Sequence, residues 1–297
     1  MTESALTALP LSSRWARLRQ WTVLRILIHV AVLVLAVVGS ALATHALVPP
    51  APSPRHHDLL LLANLCSAAV LLAVYVLTVR LLERRSASEL NLRRGAPLFP
   101  IGAGLGAALM GVVYLVLWLM GDAAFAAGSG WDGLGGSLVA MFAAAVLEEL
   151  VLRAVLFRLV EQASGTLAAM LVSAIVFGLL HGINPGATAI DAAAVAIEAG
   201  IAFALAYALT RNLWLTIGLH AAWNFTEGSV FGAQVSGSAD PHSLLRATLH
   251  GPALLTGGAF GPEGSLVAIA LFVVLSAILA AMVVRNGQWR SFARRTA

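Results

Sequence analysis

Lysine is absent from this chain: all 18 basic residues are arginine. Cysteine is almost absent as well. Cys66 stands alone, so no disulfide can form within the chain and cysteine usage gives no redox compartment. It lies in an apolar run and reads as a packed small residue. Charge of either sign is scarce: 11% of the residues are charged, against about a quarter in a typical soluble domain. That is too little to solvate a water-facing globule of 297 residues. A pI near 10.2 suggests nucleic acid, yet the arginines are scattered between apolar segments with no aromatic interleaving. Nucleic-acid binding is therefore excluded, and the lipid bilayer is the partner that composition implies.

What the chain has is apolar length. Hydrophobic residues make up 60% of it, and the mean hydropathy is +0.89. Eight apolar segments lie at roughly 26–48, 59–82, 98–120, 137–159, 165–182, 187–209, 212–231 and 265–284, each near the length that crosses a bilayer. The predicted fold class is all-α: a polytopic membrane helical bundle of about eight transmembrane helices with a central polar cavity. The chain reads as a single membrane domain over 1–297, with N-terminal transmembrane helices in 1–134. The stretch 232–264 is rich in Gly, Ser and Pro and reads as an extracytoplasmic loop. Gly102 and Gly106 have GxxxG spacing inside the third segment, which predicts close helix packing.

Arginine placement gives an orientation. With the N-terminus inside, Arg14, Arg17, Arg19, Arg25, Arg80, Arg84, Arg85, Arg93, Arg94, Arg158, Arg211, Arg285, Arg290, Arg294 and Arg295 all fall on the inner side. Only Arg55 and Arg246 fall outside, and Arg153 lies within a span. The positive-inside rule then predicts a multi-pass cell-membrane protein with both termini cytoplasmic.

Ionisable residues at membrane depth are costly and point to function. Segment four carries Glu148, Glu149 and Arg153; segment five ends with His181; segment seven holds His220 and Asn224. Glu149 and Arg153 are four apart, so they share a helix face and can pair. Glu148 is turned about 140° from Arg153 at 100° per residue, which leaves it free to act elsewhere. His220 and Asn224, also four apart, can address one substrate atom. Asp191 and Glu198 share a face of segment six and read as structural, lining the same cavity or pairing with Arg211.

Three ordered motifs carry a resemblance: EELVLR to an EExxxR signature, FGLLH to FxxxH, and HAAWN to HxxxN. Together they resemble the CAAX protease and bacteriocin-processing family, also called CPBP or Abi, over 135–228. The stretch GAFGPEGS at 258–265 is similar to a segment of bacterial members, and the alanine-rich, all-arginine chain looks bacterial. The resemblance implies an intramembrane glutamate-dependent endopeptidase acting on a membrane-associated peptide or protein without a cofactor. It implies Glu148 as general base, His181 orienting a water, His220 and Asn224 as oxyanion donors, and Glu149 with Arg153 holding the architecture. The rival readings are a zinc peptidase, a non-catalytic scaffold or immunity protein, and a transporter. Against zinc, the chain has no HExxH and its histidines stand on different helices.

Overall fold

The computed structural model describes residues 21–50 and 55–292. Arg14, Arg17, Arg19, Arg294 and Arg295, used in the orientation argument, lie outside the described residues. Apolar composition without helix breakers produces three long helices in the first part of the chain. These are α1 (Thr22–Leu47), α2 (His56–Glu83) and α3 (Leu98–Met120). Next comes a helical run, Leu134–His181, that Gly165 divides into α4 (134–164) and α5 (166–181). α6 (Ala189–Thr210) follows, then α7 (Leu213–Phe225, prolonged by a π-helical turn Thr226–Val230) and α8 (Leu266–Arg285).

Six helices among the described residues are long and apolar enough to cross a membrane, fewer than the eight segments expected. The difference has two causes. Segments four and five, α4 and α5, follow each other across the Gly165 kink without an intervening loop and count as one stretch of 48 residues, and α7 has only 13 residues before its π-turn. The long run nevertheless folds back on itself. His181 is 33 residues beyond Glu148, roughly 50 Å along a straight helix at 1.5 Å per residue. The two side chains are 4.0 Å apart. The reversal is at Gly165, whose φ of 85° and ψ of 171° suit only glycine.

Large apolar side chains stay exposed along the outer helices, among them Leu35 (70%) on α1 and Leu119 (69%) on α3. A belt of this kind suits lipid rather than water. Cys66 is exposed on α2 rather than packed inside, because that face of the helix turns away from the core. The inner helices are α4, α6 and α7. The expected GxxxG contact is present: a Cβ on Gly102 would lie 2.0 Å from the Leu215 carbonyl oxygen, and one on Gly106 would lie 2.2 Å from that of Leu219. Only glycine lets α3 press its backbone so closely on α7, and this contact sets the position of His220.

The arginine-bearing connections meet at one end of the bundle. There Glu83, at the end of α2, receives Arg25 at 2.8 Å, Arg85 at 2.7 Å and Arg158 at 2.6 Å. Glu161 pairs with Arg211, and the Thr166 amide donates to the Arg290 carbonyl at 2.9 Å, which ties the reversal to the segment after α8. Arg211 is thus taken by Glu161, and neither Asp191 nor Glu198 pairs with it.

At the opposite end the polar stretch 232–264 is ordered and partly extended. β1 (Ala123–Ala127) pairs antiparallel with β4 (Leu245–Leu249), and β2 (Gln234–Val235) pairs with β3 (Ser238–Ala239). These short strands are the departure from an otherwise helical fold.

Candidate active site

Four helices supply the site. α4 changes at Glu149 from α-helical to π-helical winding, which runs over Leu150–Phe157. Just before this stretch, the adjacent carboxyls of Glu148 and Glu149 approach different nitrogens of one imidazole. The His220 Nδ1 is 3.1 Å from the Glu149 Oε1, and its Nε2 is 3.8 Å from the Glu148 Oε2. A carboxylate only accepts, so Nδ1 carries the proton it donates to Glu149.

His181 is anchored in the same manner. Its Nδ1 lies 3.1 Å from the Phe177 carbonyl oxygen, one turn back on α5. A carbonyl also only accepts, so Nδ1–H is the donor and Nε2 faces Glu148, 4.0 Å from Oε2. Both rings therefore present Nε2 to one carboxylate oxygen, and that oxygen has no hydrogen-bond partner among the described residues. Glu148 is half-buried, whereas Glu149 is fully buried.

Arg153 holds this arrangement from behind. Fully buried, it donates from Nη1 to the Glu149 Oε1 at 2.8 Å and from Nη2 to the Ala199 carbonyl. Its guanidinium lies between the rings of Phe177 and Phe203, 5.3 and 5.4 Å from their centroids. Phe177 also packs on His181 at 4.3 Å. The residue four before His181 thus supports the histidine and the arginine together. The carbonyl of Ala199 is accessible because Ala196–Phe203 is itself π-helical.

Asn224, one turn after His220, lines a cavity of about 20 Å³ with His181 and His220. That volume holds about one water. Of the site residues expected from sequence, Glu148, Glu149, Arg153, His181 and His220 are linked by the contacts above, and Asn224 shares a cavity wall with the two histidines. α5 ends beside Glu148, which brings His181 to it. The turn that follows is covered by the 232–264 stretch, with Pro185 against Gly237 and Gly186 against Ala259.

Asp191 is indeed structural: it closes a capping box with Thr188 at the start of α6. Glu198 lines the cavity, one of the two placements expected for it, as does Glu263. Sequence reasoning passed over Glu263 and Glu227. The available signal was the GPEG stretch around Glu263, whose partners only the fold reveals. The Ser236 amide and hydroxyl donate to the Glu263 Oε1 at 2.7 and 2.5 Å, and the Trp223 indole donates to its Oε2 at 3.4 Å. Glu227 accepts from the Glu263 amide at 2.9 Å.

No three His, Cys, Asp or Glu side chains among the described residues converge as a metal-ion site.

Comparison with known proteins agrees with the motif resemblance. Residues 130–226 match the family described as Rce1-like, type II CAAX prenyl endopeptidase. The match covers about a third of the chain and contains all six site residues. No match was found among curated proteins or among solved structures.

Proposed function

We infer that the Rce1-like segment 130–226 makes this multi-pass membrane protein an endopeptidase, hydrolysing a peptide bond of a membrane-associated protein or peptide. One observation carries the reading: an unpartnered Glu148 oxygen faces the Nε2 atoms of His181 and His220, brought from two other helices. A buried carboxyl oxygen without a partner is costly in a membrane bundle unless something else occupies the gap. A water there touches a base and an imidazole at once.

Glu148 takes a proton from that water, with His181 orienting it, and the oxygen attacks the scissile carbonyl carbon. His220, carrying a proton on each ring nitrogen between the two glutamates, donates from its Nε2–H, and Asn224 from its amide, to the developing oxyanion. Glu148 then delivers the proton to the leaving nitrogen, and the C–N bond breaks. Glu149 and Arg153 hold His220 and α4 in register. The site needs no metal in this scheme, and both termini are cytoplasmic, as the arginine count implies.

The test is comparative proteomics of membrane fractions from cells carrying the wild type or the Glu148→Gln form. Gln keeps the shape and loses the base, so uncleaved substrates accumulate while the protein remains in the membrane. Full processing by the variant removes Glu148 as the base. Activity that survives strong chelators separates this reading from a zinc peptidase.

A further inference from the structure

The cavity beside His220 has one wall that the hydrolytic scheme does not use. Glu198, on the π-helical stretch of α6, is 3% exposed and lines that cavity with His181, His220 and Asn224. Its Oε1 has no hydrogen-bond partner among the described residues. No arginine or histidine forms an ion pair with it among those residues either.

Its neighbour Glu263 lines the same cavity and is satisfied by Ser236 and Trp223. Structural work therefore accounts for Glu263 and leaves Glu198 over. The residue next to Glu198, Ala199, gives its carbonyl to Arg153, so the backbone bearing Glu198 is fixed to the EExxxR helix. A long, flexible side chain is thus held on a rigid support, with one oxygen free, in a space about the size of one oxygen atom and its hydrogens.

Under the reading above, that space receives the substrate's carbonyl oxygen between His220 and Asn224. A carboxylate there would repel the charge that develops, whereas a carboxylic acid O–H would donate to it. We propose that Glu198 is a third oxyanion donor, acting through its O–H from the cavity wall it shares with His220 and Asn224. The proposal rests on the endopeptidase reading and adds a catalytic residue to it. The reaction stays balanced: Glu198 shares its hydrogen with the oxyanion during the addition and regains it when the carbonyl reforms, so no net proton leaves it. The titratable groups facing Glu198 are Glu263 from the 232–264 stretch, His220 and Glu227 from α7, and His181 from α5.

The experiment compares four forms in cells: wild type, E148Q, E198L and E198Q. Membrane proteomics identifies the proteins left uncleaved, and the substrate found is then assayed with purified full-length protein across pH. E198L accumulates the same uncleaved proteins as E148Q, and its kcat falls about 10²–10³-fold with KM little changed, the usual loss for one oxyanion donor. E198Q retains an N–H donor and falls about tenfold or less.

E198L with wild-type turnover overturns the proposal. So does an E198Q form whose kcat falls as far as that of E148Q although it keeps an N–H donor, a result that stands even where E198L fails to reach the membrane. An E148Q form that accumulates nothing overturns the endopeptidase reading and the third donor with it.

Discussion

Glu148 and His220 face each other across 3.8 Å, beyond hydrogen-bond length and within reach of one shared water. The gap is maintained because His220 is held from its other side, where Nδ1 donates to Glu149. Two consecutive residues of one helix therefore have different tasks, one gripping the imidazole and the other facing it.

This division predicts how the histidines respond to substitution. His181→Ala lowers kcat by about 10²–10⁴-fold, the usual worth of a positioned proton-handling group. His220→Ala lowers it by about 10²–10³-fold, as for an oxyanion donor. In both, KM stays within a few-fold, measured by steady-state kinetics on the substrate identified with Glu148→Gln. A large rise in KM with unchanged kcat would assign the rings to binding instead.

Arg153 gives a prediction about stability. Removing it leaves buried Glu149 without its arginine, held only by the His220 Nδ1–H, and breaking a buried pair of this kind costs about 3–5 kcal/mol. Arg153→Met thus lowers the thermal unfolding midpoint in detergent strongly. The double change Glu149→Gln with Arg153→Met recovers most of that loss, because no lone charge remains inside. Activity is not recovered, since His220 has lost its charged anchor. Wild-type stability in the single variant would show that the pair contributes nothing.

Much of this was legible beforehand for a simple reason. Helical spacing of four residues shows which side chains share a face, so the Glu149–Arg153 and Phe177–His181 contacts follow from sequence. The GxxxG spacing likewise anticipated the α3–α7 contact. Spacing could not reveal the π-helical turns, because they change which faces align. Four such stretches occur among the described residues, and each carries a buried ionisable group: Glu83, Arg153, Glu198 or Glu227. The position of Glu198 beside Glu263 was hidden for the same reason: it depends on a turn that no apolar periodicity encodes and on neighbours from the distant stretch 232–264.

Gly165 lets the reversal be tested. At φ 85° and ψ 171° a side chain is strained, and a Cβ would stand 2.7 Å from the Arg290 carbonyl oxygen. Gly165→Ala therefore destabilises by about 1–3 kcal/mol. It also loosens the hydrogen bond from the Thr166 amide to Arg290, seen as faster amide exchange at 166. Unchanged stability and exchange would mean that the turn has another way to close.

The last prediction concerns acid, and it depends on Glu89, which lies in the connection between α2 and α3. Burial alone would raise its carboxyl. Arg85 offsets that by donating from Nη1 and Nη2 to the two oxygens at 2.8 and 2.7 Å, and the Tyr75 hydroxyl adds a further donor. The net result is a carboxyl held below its ordinary range. A group depressed on folding contributes stability above its unfolded value, near 4.3 for glutamate, and loses that contribution as pH falls through the folded value. Wild type and Glu89→Gln should therefore differ most in unfolding midpoint at neutral pH. The gap between them should close as pH drops below about 4, whatever the other carboxyls do, because those are common to both. A gap that stays constant from pH 7 to pH 3 would mean that Glu89 contributes through shape rather than charge, and the Arg85 fork would then be incidental.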